Sequence, residues 1–212
     1  MRFCGTARVV GDDVNTDYII SSRRKRDTLD GAILKQYLME DLNPSCAASV
    51  VPGNILVAGK NFGCGFAMEI AAVVVKAAGI PVVIACSFSR SFFRNGFNNG
   101  ILLIEADTSR IEAGDWLEII SDNQNVLVRN LTKNECITQQ EPFNSIMNDI
   151  LEEGGIVPYL NKWGGFVLKN DGEYPDYVRR GYAGRSQQRR RSRLSEGSSR
   201  CRTSGTVRGI PS

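Results

Sequence analysis

Gly59-Lys60-Asn61-Phe62-Gly63-Cys64-Gly65-Phe66-Ala67-Met68-Glu69-Ile70 is the stretch on which the fold reading turns. It is a glycine-punctuated turn between two apolar segments. Ile55-Leu56-Val57-Ala58 before it reads as a buried strand. Ala71 to Ala78 after it reads as a buried helix stopped by Gly79. Strand, glycine-rich turn and helix in that order aim unpaired helix amides beyond the strand end, where an anion is favoured. Gly63 and Gly65 are free to adopt φ > 0 and to let a ligand approach the backbone. The same glycines would also serve a tight connection with no ligand, because one glycine-rich turn is a weak signal.

Outward from this stretch the pattern repeats. Gly79-Ile80-Pro81 turns into Val82-Val83-Ile84-Ala85-Cys86, a second strand apolar on both faces, with Cys86 expected as a buried small hydrophobe. Strand, helix, strand of this length is a parallel, right-handed βαβ unit. Ser87 to Asn95 reads as a more polar helix with Phe88, Phe92 and Phe93 on one face, and Ile101 to Ile104 as the next strand. Residues 105–140 change character: Trp116, Leu117, Ile119, Ile120 and then Val126, Val128, Leu131 mark an antiparallel β section. Pro142 to Glu153 reads as an amphipathic helix ended by Gly154-Gly155, and Val157 to Trp163 as a further helical turn. Toward the N-terminus, Thr6 to Val10 reads as a strand, Asn15-Thr16-Asp17 as a polar turn and Tyr18-Ile19-Ile20 as a short apolar stretch. A helix capped by Thr28 is expected over Asp30 to Asp41.

Composition narrows the chemistry. At 212 residues with 42% hydrophobic and 23% charged residues, the chain suits one domain plus an appendage. No apolar run reaches the ~18 residues of a membrane span, and Met1-Arg2-Phe3-Cys4-Gly5 opens no signal-peptide block, so a cytoplasmic location is expected. The six cysteines are scattered, without the spacing of a zinc or iron–sulfur site. Histidine is absent, which removes the commonest general base and any Ser-His or Cys-His dyad. Residues 173–212 carry ten arginines against Glu173, Asp176 and Glu196, so the net +3 divides into a basic tail and a mildly acidic body. Two domains follow: 1–168 folded, and 169–212 a basic tail too poor in apolar residues to offset its ordering entropy. Arg189-Arg190-Arg191 in that tail would meet nucleic acid or another acidic surface. Without interleaved aromatics that function ranks last.

Two features carry candidate binding chemistry. Ser21-Ser22-Arg23-Arg24-Lys25-Arg26-Asp27 is a basic loop between a buried segment and a helix. It is either a solvated charge run or a carboxylate-binding loop, since guanidinium forks match carboxylates. Cys64 sits at the start of the expected helix, a place where a thiol can be reactive. Close packing accounts for a small residue there equally well.

Asp13-Val14-Asn15-Thr16-Asp17-Tyr18-Ile19-Ile20, Val57 to Gly65, Ser87-Phe88-Ser89-Arg90-Ser91-Phe92-Phe93-Arg94-Asn95 with Asn99-Gly100, and Glu153 to Leu160 together resemble the small subunit of 3-isopropylmalate dehydratase, in order and spacing, over about residues 5–163. That family is the free-standing counterpart of the aconitase swivel domain. The resemblance implies an α/β fold, a swivelling β/β/α domain with a mixed, partly parallel sheet flanked by helices. It implies a hydro-lyase subunit acting on a hydroxy di- or tricarboxylic acid, in a heterodimer or heterotetramer with a large subunit. The [4Fe–4S] cluster is then expected on that large subunit, with no cofactor bound by this chain. The family continues its Gly-Cys-Gly turn with Ser-Ser-Arg-Glu-His, where the first serine is the base and the next serine and the arginine hold a carboxylate. Here those positions are Phe66, Ala67, Met68, Glu69 and Ile70, and only Glu69 is kept. No catalytic residue is therefore assigned. The substrate-binding set implied is Arg24, Lys25 and Arg26 from the loop that carries the family's substrate-selecting triplet, with Cys64, Gly65, Phe66, Ala67 and Met68 from the turn. Three outcomes are open: a divergent hydro-lyase with another base, a silent paralogue serving as a binding or regulatory subunit, or action on another partner.

Overall fold

The computed structural model describes residues 1–167 except Asp27 and Asn123. Met1–Gly164 forms one compact unit and carries the fold. The basic tail expected from residue 169 lies outside the described residues.

Among the described residues seven strands form one sheet: β1 (Arg2–Val9), β2 (Ile55–Ala58), β3 (Val82–Ala85), β4 (Leu102–Glu105), β5 (Trp116–Ser121), β6 (Val126–Asn130) and β7 (Glu135–Gln140). The spatial order is β4-β3-β2-β1-β5-β6-β7. The β1 to β4 half is parallel. The β5 to β7 half is antiparallel and joins at β1. The mixed, partly parallel sheet is as expected, and residues 105–140 resolve into three strands at its antiparallel end. Among the described residues seven helices accompany it: α1 (Thr16–Ile19), α2 (Gly31–Leu34), α3 (Cys46–Ser49), α4 (Glu69–Ala77), α5 (Arg90–Asn98), α6 (Ser145–Glu152) and α7 (Ile156–Trp163).

The parallel strands are apolar on both faces because both faces are covered. The register row Ala7, Ile55, Val82, Leu102 faces a core closed by Ile150 and Leu151 of α6 and Tyr159 of α7. The next row, with Leu56, Val83 and Leu103, faces a second core closed by Ala71, Ala72, Val74 and Val75 of α4 with Leu34 and Leu38. Each Val, Leu or Ile side chain so buried contributes about 1.5–3 kcal/mol. Two such layers hold the strand ends where the loops must meet.

Local expectations fail where tertiary contacts overrule periodicity. Asp30, not Thr28, caps α2, its carboxylate accepting from Ala32 N at 2.8 Å. The helix expected to Asp41 breaks after a 3-10 turn at Lys35–Tyr37. Met39 adopts φ 54°, donates its N–H to Ile19 O at 2.9 Å and is 1% exposed. Seating that side chain in the core wins over one more turn of helix. Tyr18 and Ile19 belong to α1, capped by Asn15, not to an extended stretch. Cys86 is half-buried rather than buried, its Sγ 3.1 Å from Thr108 Oγ1.

The antiparallel half is pinned by a buried carboxylate. Asp115 accepts from Glu112 N at 2.8 Å and Asn130 Nδ2 at 2.6 Å, with Lys133 Nζ at 3.6 Å. These hold its pKa below the usual carboxylate value, the Glu112 backbone hydrogen bond being the largest cause. A depressed native pKa means stability that is complete above the unfolded value of about 3.9 and lost as pH falls through the native one. Asp115→Asn should therefore cost about 1–3 kcal/mol at pH 7 through the unsatisfied partners. It should also flatten the acid-side decline in melting temperature, as read by thermal melts between pH 7 and pH 3.

Candidate functional site

The carboxyl ends of β1, β2 and β3 lie at one edge of the sheet, the edge where α/β folds bind ligands. Three loops meet there. Isolated parallel bridges pair Asn15 with Cys64 and Phe62 with Phe88, extending the β1, β2 and β3 registers past the strands. Gly63 N donates to Val14 O at 2.8 Å and Thr16 N to Cys64 O at 2.9 Å. Phe62 N donates to Ser87 O at 3.0 Å and Ser89 N to Phe62 O at 2.9 Å. Two side chains add to these: Thr16 Oγ1 donates to Phe66 O at 2.9 Å, and Ser89 Oγ to Gly63 O at 2.5 Å. The motifs separated in sequence are one hydrogen-bonded unit.

The two glycines of the turn do different work. Gly63 is buried with φ +75°, and a Cβ there would lie 2.2 Å from Phe92 Cβ. It serves close packing, and no ligand reaches it. Gly65 is exposed with φ +86°, its nearest neighbour Asn15 Cβ at 3.4 Å from a built Cβ. Gly65, Phe66 and Ala67 are exposed, and among the described residues their amides have no carbonyl acceptor. The turn is thus a tight connection at Gly63 and an outward row of amides from Gly65. The Phe66 carbonyl is tied inward by Thr16 and by Met68 N at 2.8 Å, which leaves its ring 76% exposed.

The remaining candidate residues separate. Met68 is 6% exposed, its side chain in the α4 core and its amide spent on Phe66. Its N–H is thus spent, while its side chain, though largely buried, borders the cleft at the start of α4. The Cys64 thiol donates to Asp13 O at 3.6 Å, which favours its close-packed role. The basic triplet is split three ways. Arg24 grips Glu40 with two 2.8 Å hydrogen bonds and lies 3.8 Å above the Tyr37 ring. That grip is the main reason the Glu40 pKa lies below the usual value. Arg24 lines a separate cleft of about 440 Å³ with Arg23, Glu40 and Asp41, away from the turn. Arg26 is exposed and, among the described residues, faces no carboxylate. Lys25 alone reaches the turn, its Nζ 3.3 Å from Met68 Sδ. With Leu29, Ala67, Glu69, Ile70 and Val73 it lines a cleft of about 400 Å³ at the start of α4. α4 has no side-chain N-cap; among the described residues the Ala71 amide returns to Met68 O at 3.3 Å, and the Glu69 and Ile70 amides at the cleft have no backbone acceptor.

Comparison with known proteins addresses the fold and its relatives. Residues 47–109 match the Aconitase C-terminal domain family, a span running from α3 through the turn to just past β4. The chain is 44% identical over 164 residues to the 3-isopropylmalate dehydratase small subunit of Oleidesulfovibrio alaskensis, covering 76% of this chain and 96% of that relative. The chain belongs to the 3-isopropylmalate dehydratase small-subunit family. It is also 41% identical over 164 residues to 3-isopropylmalate dehydratase small subunit 2 of Archaeoglobus fulgidus, covering 77% of this chain and 98% of that one. The crystal structure of 3-isopropylmalate dehydratase from Methanocaldococcus jannaschii superposes with a TM-score of 0.70 at 39% identity, over 76% of this chain and 95% of that one. The expected α/β architecture and hydro-lyase family are both borne out.

Within this family frame, Thr16 and Ser89 are positioning residues that sequence reasoning did not single out. Both stand inside the quoted motifs, but their partners lie 50 and 26 residues away. Local spacing carries no sign of those bonds. Leu29, Ile70 and Val73 reach the cleft for the same reason. The glycine division is testable by urea denaturation. Gly65→Ala should cost about 1–2 kcal/mol, the left-handed penalty alone. Gly63→Ala should cost more, adding about 1–3 kcal/mol of overpacking against Phe92.

Proposed function

We propose that this chain is the small subunit of a two-subunit hydro-lyase that dehydrates and rehydrates a hydroxy di- or tricarboxylic acid of the 3-isopropylmalate type. The observation that carries the reading is Lys25 Nζ set beside the exposed Gly65–Ala67 turn and the uncapped start of α4. The Lys25 ammonium and the open amides beside Ala67 suit a carboxylate, with Glu69 on the same cleft lining as the one acidic neighbour. The helix N-terminus favours an anion by about 0.3–1 kcal/mol. A charge-assisted hydrogen bond from Lys25 is worth about 1.5–3 kcal/mol, so the loop cation dominates and the turn orients. Arg26, exposed nearby in sequence, is the second cation available to a diacid. Leu29, Ile70 and Val73 give the cleft an apolar wall for the rest of the substrate.

The large subunit carries the [4Fe–4S] cluster in this reading, and the cluster supplies the Lewis acidity for loss of the hydroxyl. Among the described residues no three His, Cys, Asp or Glu side chains converge as a metal site. This chain's own task is to bind and orient a carboxylate and to exclude water. Phe66, Ala67 and Met68 carry no side-chain base, so the proton acceptor comes from elsewhere in the assembled enzyme. The described residues include no helix long and apolar enough to cross a membrane, in keeping with a cytoplasmic enzyme.

The test is co-purification with the large subunit, then hydratase assays over C5–C8 hydroxy acids. Turnover by the wild-type pair is expected, with KM raised about 10- to 100-fold in Lys25→Met. A pair that assembles but turns over none of these acids would favour the silent paralogue. An unchanged KM in Lys25→Met would remove Lys25 from the site.

A further inference from the structure

A second surface at the same sheet edge is unclaimed by this site. Among the described residues, Arg2, Arg23, Arg24, Arg110 and Arg129 each face a carboxylate, and Arg8 bonds the Asn54 amide oxygen. Arg90 and Arg94 face neither. They stand one turn apart on α5, both exposed, so their guanidinium groups issue from one helix face. Between and beside them lie the half-buried rings of Phe88 and Phe93, 5.9 Å apart and edge-on. Together with Glu105 these residues line a cleft of about 510 Å³ that shares no residue with the Lys25 cleft.

The phenyl rings are packed against further aromatics. Phe88 stacks on Phe92 at 6.5 Å, and Phe62 meets Phe92 edge-on at 4.9 Å. Glu105 Oε1 accepts from Phe88 N at 3.3 Å, so this carboxylate is turned to the backbone and pairs with neither arginine. Two free guanidinium groups beside two fixed aromatic faces is the composition of an interface anchor, where Arg and aromatic residues are enriched. A solvated helix face needs no such rings.

We propose that the Phe88–Arg94 face of α5 docks an acidic segment of the large subunit, two carboxylates pairing with Arg90 and Arg94 while an apolar side chain rests on Phe88 and Phe93. This rests on the two-subunit reading above. Charge complementarity identifies the occupant, and continuity supports it. Phe92, under these rings, is the residue against which Gly63 packs, so a partner seated here is in register with the Gly65–Ala67 turn. Docking fixes the turn over the partner's reaction centre.

The experiment is titration of the full-length chain with the large subunit by calorimetry, comparing wild type with Arg90→Glu/Arg94→Glu and Arg90→Gln/Arg94→Gln. The charge reversal should weaken the apparent Kd about 30-fold or more, and the neutral pair less. The wild-type affinity should fall with added salt, and that of the variants much less. Because the residues are exposed, melting temperatures should match, and kcat at saturating large subunit should be unchanged. Equal affinities for wild type and both variants would overturn the docking surface and leave the two-subunit reading standing. No association by the wild type would overturn both. A rise in substrate KM at unchanged subunit Kd would assign the cleft to a small anion and overturn the proposal.

Discussion

The contact between Gly63 and Phe92 is the constraint from which the functional edge follows. There is no room for a Cβ between that backbone and the phenyl ring. With the backbone so close, the Gly63 amide reaches Val14 O and its carbonyl accepts from Ser89. Three loops, each at the end of a parallel strand, become one body. Buried strands with a core on each face supply the rigidity beneath it. What leaves this body is short: Gly65, Phe66 and Ala67, turned outward.

Under the proposed function, that arrangement accounts for the chain's departure from the family's Ser-Ser-Arg segment. An anion seat made of backbone amides does not depend on the side chains that carry them. Phe66, Ala67 and Met68 forfeit hydroxyl and guanidinium chemistry but not the N–H groups of Gly65 to Ala67. Met68 has become part of the core, and its sulfur meets Lys25 from the neighbouring loop. Positive charge therefore stands beside the turn although none originates in it. The aromatic cluster under Gly63 also ties the turn to the Arg90 face of α5, so that the proposed binding and docking surfaces share one foundation.

Much of the fold was legible in the residues. Ile55–Ala58 and Val82–Ala85 lack alternation, and only a sheet covered on both faces accommodates that. Trp116 to Leu131 alternate because their half of the sheet is antiparallel. Legibility ended where a residue's fate depends on distant partners. Arg24 belongs to Glu40 and Tyr37, and Lys25 to Met68, although the two are adjacent in sequence. Met39 leaves the helical course for a carbonyl on α1 and a place in the core. Gly63 and Gly65 look alike in sequence. Phe92, far along the chain, is what separates them.

The most direct measurement is a crystal structure of the assembled two-subunit enzyme with a hydroxydicarboxylate bound. The expected result is a substrate carboxylate oxygen within hydrogen-bond distance of an amide in Gly65–Ala67 and of Lys25 Nζ, with Gly63 still packed on Phe92. A carboxylate bound elsewhere, with the Gly65–Ala67 amides covered by protein atoms of the large subunit, would contradict it.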